Sequence, residues 1–206
     1  MNKNKGYDRS GEFLALLFRQ KDINRWGLMR NVSVETLSEH CYEVAVISHA
    51  LAVIGNKKFG KNYNVYKIAT SALFHDMSEI LTGDLPTPVK YYNTEIKTAY
   101  KNIEKVAENI LIDLLPEDTE EEYKNLFDLT SDERSIIKSA DKICAYIKCV
   151  DELSAGNKEF VAAEGSIRCQ LELLPLEEVK YFISNYLDAF TKPLDDITLS
   201  GGANDI

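Results

Sequence analysis

Apolar residues recur along this chain at helical spacing almost from end to end. Thr36 followed by Glu39 forms a capping-box pair. Behind it, Val44, Ala45, Ile47, Ser48, Leu51, Ala52 and Ile54 make a wide stripe that ends at Gly55-Asn56. Asn64 is set to cap a second helix carrying Ile68, Ala69, Ala72, Leu73, Met77, Ile80 and Leu81, which stops before Gly83. A third helix is expected from Thr94 to Leu115, with Ile96, Ala99, Ile103, Val106, Ile110 and Leu114 facing inward and Pro116 ending it. The acidic stretch 117–124 opens a short helix. Thr130 and Glu133 form a second capping box, before a long helix through Ile136, Ile137, Ala140, Ile143, Cys144, Ile147 and Leu153 to Gly156. Two more helices are expected within 158–173 and 176–190, and residues 201–206 read as a frayed tail. No Val/Ile/Thr run alternates between turn signals, and no repeat or break in composition divides the chain. The pattern predicts one all-α domain over residues 1–206, a bundle of roughly seven or more helices.

Composition narrows the class. With 206 residues, 45% hydrophobic and 28% charged, the chain is long enough and apolar enough to bury a core, which excludes a disordered or collagen-like protein. No stretch reaches the ~18 apolar residues of a spanning helix; the nearest, Ala45 to Gly55, is short and carries His49. No apolar segment follows the basic start MNKNKGYDRSGE, so no secretory signal is expected. Cys41, Cys144, Cys149 and Cys169 form no CxxC pair, which fits free thiols in a reducing cytoplasm. The net charge of −9 argues against a nucleic-acid partner. Residues 1–30 nevertheless carry seven Lys/Arg against Asp8, Glu12 and Asp22, a basic island compatible with a small phosphate ligand.

A few polar residues fall where packing alone would not put them. His75-Asp76 interrupts the apolar run SALFHDMSEIL, in the middle of the expected second helix. Glu79 stands four residues after His75 and three after Asp76, on the same helical face. His40, in the first turn of the preceding helix, and Asp141, in an otherwise apolar stripe, would complete a mixed nitrogen and oxygen cluster suited to a divalent ion. Taken singly, each has a plainer reading: a packed histidine, an ion-paired aspartate, a locally bonded first-turn residue. His49 is read as packed or exposed rather than as a ligand.

The order H…HD…D on helices resembles that of the HD-domain metal-dependent phosphohydrolases. The segments INRWGLMRNV (23–32), LSEH (37–40), FHDMSEILTGDLPTPVKYYN (74–93) and KSADKICAYIKC (138–149) are similar to the bacterial HD-domain 5′-deoxynucleotidases, the YfbR-type family, with the likeness running from about residue 12 to about residue 190.

The resemblance implies a set of roles. His40, His75, Asp76 and Asp141 match the family's ligands for one divalent metal ion, with Co, Mn, Zn, Ni, Fe or Cu as the candidates. Glu79 matches the acidic residue that handles a proton during hydrolysis, and Arg25 the arginine that orients the substrate phosphate. Trp26 matches a wall of the substrate pocket, while Asp84, Leu85, Pro86 and Thr87 match the segment that contacts the nucleotide. His40, Asp76 and Asp141 border the substrate as well. The implied enzyme is a phosphoric monoester hydrolase that converts 2′-deoxyribonucleoside 5′-monophosphates to deoxynucleoside and phosphate. It would be a cytoplasmic homodimer with no membrane or nucleic-acid partner. Discrimination against a 2′-hydroxyl is expected near Trp26 and Asp84. The rival readings are another HD-domain hydrolase (a triphosphohydrolase, a cyclic-nucleotide phosphodiesterase or a guanosine-polyphosphate hydrolase) and a catalytically silent nucleotide-binding protein.

Overall fold

The computed structural model describes residues 9–90 and 92–198. The expected tail at 201–206 lies outside them, as do Lys3, Lys5 and Asp8 of the basic island. Among the described residues there are eleven α-helices, and the one β-pairing is an isolated antiparallel bridge between Asn24 and Thr36.

Two long helices form the centre, α2 (Leu37–Lys58) and α8 (Ser131–Ser154). Both start at the anticipated capping boxes, with the Thr36 and Thr130 hydroxyls accepting from the backbone N–H of Glu39 and Glu133. α2 packs against α8, α3 (Val65–Leu73) and α10 (Glu177–Asn185), and α8 also packs against α9 (Val161–Glu172). Their apolar stripes interlock as one core that includes Val44, Leu51, Ile68, Ile136, Ile143 and Phe182. A smaller core joins α1 (Ser10–Leu17) to the far side, where Phe13, Met77, Leu111 and Leu115 are buried with Phe74 and Tyr123. The remaining helices are α4 (Glu79–Thr82), α5 (Thr87–Lys90), α6 (Thr94–Ile112), α7 (Glu117–Phe127) and α11 (Leu194–Thr198).

Three expectations need correction. α2 does not stop at Gly55 but runs on to Lys58. Gly55 serves a close approach instead: a Cβ there would lie 2.6 Å from the Tyr63 ring, so only glycine lets the 59–63 turn fold back on the helix. The second predicted helix is also not continuous. It ends at Leu73, and His75-Asp76 sits in a tight turn before α4. Here Phe74 N bonds Ser71 O at 3.1 Å and Met77 N bonds Phe74 O at 3.0 Å, three residues back rather than four. The His75 ring explains the break. Its Nδ1 lies 2.7 Å from Ala72 O, the carbonyl that an unbroken helix would offer to Asp76 N. Gly83, at φ +71, then closes α4.

The third correction concerns α6, which ends at Ile112 and buries a different face from the one expected. Tyr100, Ala107, Leu111 and Ile112 point inward, while Ile96, Ile103, Val106 and Ile110 are exposed, the last three by more than half (52%, 57% and 52%). This helix carries two apolar seams one residue out of step. Packing decides between them: Leu111 and Ile112 join Phe13, Met77 and Leu115 in the smaller core, and Lys90 accompanies that face, pairing with Glu104 at 2.7 Å and lying over the Tyr100 ring.

Candidate active site

The polar residues singled out in the sequence meet between α2, α8 and the turn after α3. His40, in the first turn of α2, is wholly buried. His75 and Asp76 come from the turn, and Asp141 from the middle of α8. Asp76 Oδ2 is the hub, 3.1 Å from His75 Nε2, 3.6 Å from Arg25 Nη1 and 3.7 Å from His40 Nε2. Asp141 Oδ1 approaches His40 Nε2 to 3.2 Å, and its side chain is 42% exposed, on the open side of the cluster.

Ring orientation gives both imidazoles the same task. The Ala72 carbonyl can only accept, so His75 Nδ1 carries the proton there and Nε2 faces the cluster. His40 Nδ1 faces the Glu35 carboxylate at 3.3 Å, another pure acceptor, and again Nε2 is turned inward. In their neutral forms the two rings present two Nε2 lone pairs to one point beside two carboxylates. His40, His75 and Asp76 can offer atoms all within 4.8 Å of one another. Glu35 Oε1 lies 3.3 Å from His40 Nδ1 and 3.4 Å from Arg25 Nε, whereas His40 Nε2, His75 Nε2 and Glu79 Oε2 are buried without a hydrogen-bond partner. Orphaned atoms of this kind cost about 1–3 kcal/mol each. Their concentration at one place fits the addition of a cation and an anionic ligand, and the donor set suits a borderline divalent ion.

The charges are strongly coupled. Burial alone would push the His75 imidazole down, but the Asp76 carboxylate outweighs it and holds His75 well above its ordinary value. Burial likewise opposes ionisation of Asp76, yet His75, His40 and Arg25 together keep its carboxyl below the usual carboxylate range. Glu79 behaves the opposite way. Only 4% exposed, at the first position of α4, it is pushed up to about 8 by burial and by the charges of Asp76 and Asp84, against the pull of Lys90 and Arg25. A carboxyl in that range holds its proton at neutral pH.

Arg25 and Trp26 arrive on the loop that precedes α2. Arg25 N donates to Glu35 O at 2.9 Å and Leu37 N to Ile23 O at 2.8 Å, so the loop closes on itself as a narrow hairpin. Trp26 occupies the left-handed region at φ 58, an uncommon position for a bulky residue. Its indole N–H donates to Glu35 Oε2 at 2.7 Å, its ring lies 5.3 Å from that of Phe160, and its carbonyl accepts from Met29 N and Asn31 Nδ2. Farther along, the backbone N–H groups of Val32 and Ser33 donate to the buried Glu152 carboxylate at 2.9 and 3.0 Å, which fastens the loop to α8. Asp84 is half-buried and close enough to act electrostatically on Arg25 and Glu79. Leu85 and Pro86 are half-buried and Thr87 exposed. His49 is exposed, away from the cluster.

Two charged residues of the site carry no mark in the sequence. Glu35 precedes the capping threonine and reads as a solvated loop residue, yet it is 7% exposed and faces Arg25, Trp26 and His40. Lys90, at the end of α5, bridges Glu79 at 3.7 Å and Glu104 at 2.7 Å. Apart from His40, the partners lie nine to fourteen residues away across loops, and no helical or strand spacing reveals the role.

A helical bundle that turns a His-Asp dipeptide toward a second histidine and a distant aspartate is the arrangement of the HD-domain phosphohydrolases. An HD-domain phosphohydrolase from Listeria innocua superposes with a TM-score of 0.77 at 25% identity, covering 88% of this chain and 89% of the other. A family profile described as 5′-deoxynucleotidase YfbR-like matches residues 12–190. A 5′-deoxynucleotidase of Pectobacterium atrosepticum is 49% identical over 189 residues (90% of this chain, 95% of the relative). The 5′-deoxynucleotidase YfbR of Escherichia coli O1:K1 is 47% identical over 193 residues (92% and 97%). The chain belongs to the 5′-deoxynucleotidase YfbR-like family.

Proposed function

We propose that this protein is a metal-dependent 5′-deoxynucleotidase, hydrolysing 2′-deoxyribonucleoside 5′-monophosphates to the deoxynucleoside and orthophosphate. The observation that carries the reading is the convergence of His40, His75, Asp76 and Asp141 beside Arg25 and a buried Glu79. The relatives named as 5′-deoxynucleotidases support the choice of substrate. His40 Nε2, His75 Nε2, Asp76 and Asp141 would hold one divalent ion, whose identity among Co, Mn, Zn, Ni, Fe and Cu is left open by the donor types. A bound ion supplies Lewis acidity toward a phosphoryl oxygen and a more acidic water.

The protein's own groups divide the remaining work. Arg25 offers a guanidinium to the phosphate and offsets the charge that builds on it. Glu79, raised to about 8 in the metal-free site, would be the proton donor for the departing 5′-oxygen of the deoxyribose. Trp26 and Asp84 bound the sugar, with Leu85, Pro86 and Thr87 completing that side. A pocket closed around C2′ by the Trp26 ring would reject a ribose hydroxyl by crowding.

The same reading takes residues 1–206 as one HD domain. The four free cysteines, three of them buried, fit a reducing cytoplasm. Among the described residues no helix is long and apolar enough to cross a membrane. The exposed seam of α6, with Ile103, Val106 and Ile110, suits the face of a homodimer.

The test is phosphate release from dAMP, dGMP, dTMP and their ribose counterparts, with added Mn or Co and with a chelator. Metal-dependent release from the deoxy series, much weaker with ribose, is the expected result. Equal rates on both series would reject the sugar preference. Release only from di-, tri- or cyclic nucleotides would move the protein to another HD-domain hydrolase, and no release at all would favour a silent nucleotide binder.

A further inference from the structure

Glu35 faces three side chains of the site at once, on the side away from the metal-ligand cluster. Its Oε2 accepts the Trp26 indole N–H at 2.7 Å, and its Oε1 lies 3.4 Å from Arg25 Nε and 3.3 Å from His40 Nδ1. It is 7% exposed, so these interactions act with little solvent screening. Burying a carboxylate is costly unless it is paired, and the three polar side chains that Glu35 faces, Trp26, Arg25 and His40, all turn N–H groups toward it. The carboxylate also sits where the loop most needs an anchor. Trp26 holds an uncommon positive φ, and such a conformation persists only when surrounding contacts over-determine it. The backbone link from Arg25 N to Glu35 O ties the two ends of the hairpin at the same point.

We propose that Glu35 is a positioning residue that sets the imidazole of His40, the guanidinium of Arg25 and the ring of Trp26 as one unit, and so couples metal binding to sugar selectivity. The inference rests on the proposed nucleotidase function for its selectivity arm alone. Toward the metal, Glu35 keeps the proton on His40 Nδ1 and aims Nε2 at the ligand point, the orienting role that outer carboxylates commonly play for ligating histidines. Toward the substrate, it fixes the Trp26 ring and the Arg25 fork in register with that point. A shift of the loop would therefore move the phosphate grip and the sugar wall together.

The test compares wild type with Glu35→Gln, Trp26→Phe and the double variant. Glutamine preserves the size and one acceptor for the indole but presents an N–H₂ group to donors. Three readouts are taken: Mn²⁺ affinity by calorimetry, the ratio of kcat/KM for dAMP over AMP, and emission from Trp26, the only tryptophan in the chain. Glu35→Gln is expected to weaken Mn²⁺ binding about tenfold or more. It should also narrow the deoxy-to-ribo ratio severalfold and shift the Trp26 emission. Trp26→Phe, which keeps a ring but deletes the N–H, should narrow the ratio while leaving Mn²⁺ affinity within about twofold, and should add little in the double variant.

A residue that only stabilised the fold would lower the unfolding temperature and leave affinity and ratio alone; that result overturns the proposal. Should Glu35→Gln fail to fold, the Trp26→Phe ratio decides: an unchanged ratio removes the link to selectivity. Absence of phosphate release by wild type would defeat the nucleotidase reading, whereas Mn²⁺ affinity and Trp26 emission would still judge Glu35.

Discussion

Glu79→Gln in metal-free protein should make the stability of this fold less sensitive to pH, by an amount that the structure sets. The wild-type carboxyl is raised from 4.5 to about 8, first by burial and then by Asp76 and Asp84. The folded form thus keeps a proton that the unfolded chain has already released, so unfolding free energy falls as pH rises through that window. The stabilising share is fully present below about 4.5 and is gone above about 8. Each pH unit within the window costs roughly 1.4 kcal/mol, on the order of 3 kcal/mol by pH 7 and 5 kcal/mol across the whole span. Glutamine is close in shape and does not titrate. His40 and His75 are also raised, and their stabilising contributions also fade as pH increases, but they are common to both proteins. The difference between the two proteins isolates Glu79. The assay is urea unfolding of both, with chelator, at half-unit steps from pH 5 to 9. The variant should gain steadily on wild type up to about pH 8 and then run parallel to it. Parallel curves throughout would mean that Glu79 ionises at its ordinary value in the fold, and would remove it as a neutral-pH proton donor.

Four further outcomes follow from the same geometry. Mn²⁺ affinity, measured calorimetrically, should weaken as pH falls, about tenfold per unit for each proton displaced, because His40 and His75 are both raised in the free site and must give up a proton to offer Nε2 to the ion. Lys90→Met removes a charge that lowers Glu79, so the alkaline limb of the kcat profile should move to higher pH; an unmoved limb would separate Lys90 from catalysis. Arg25→Ala should cut kcat/KM for dAMP by one to two powers of ten, the scale of about 1.5–3 kcal/mol for hydrogen bonds to a charged group, while leaving Mn²⁺ affinity nearly constant. Ile103→Glu on the open seam of α6 should convert a dimer to a folded monomer by light scattering, and an unchanged mass would put the interface elsewhere.

What the sequence disclosed and what it concealed divide along a physical line. Capping boxes at Thr36 and Thr130 are decided within four residues, and both helices begin where those residues say. The centre of the bundle was equally open to reading, because the stripes of α2 and α8 are single and wide. α6 offered two seams a residue apart, and periodicity cannot choose between them. Long-range packing chose: Leu111 and Ile112 meet Phe13 and Met77 in the smaller core, and Lys90 reaches Glu104 and Tyr100 on the same face. The break at His75 was hidden for a related reason. Helical spacing extends smoothly through 65–82, and only the choice of the His75 ring to bond the Ala72 carbonyl interrupts it.

That break bears on the chemistry. On an unbroken helix, adjacent residues point about 100° apart, so His75 and Asp76 would reach one point only at a seam. The turn removes that restriction, bringing His75 Nε2 and Asp76 Oδ2 to 3.1 Å while the same bond that bends the chain fixes which imidazole nitrogen faces the cluster. Local conformation and ligand chemistry are therefore one event at this dipeptide. Replacing His75 with asparagine would test the coupling, since its amide nitrogen can stand where Nδ1 meets the Ala72 carbonyl while no group remains at the position of Nε2. The expected result is a fold close to wild type in stability with metal binding lost by calorimetry. Retained binding would show that the donor set assigned here is not the one that holds the ion.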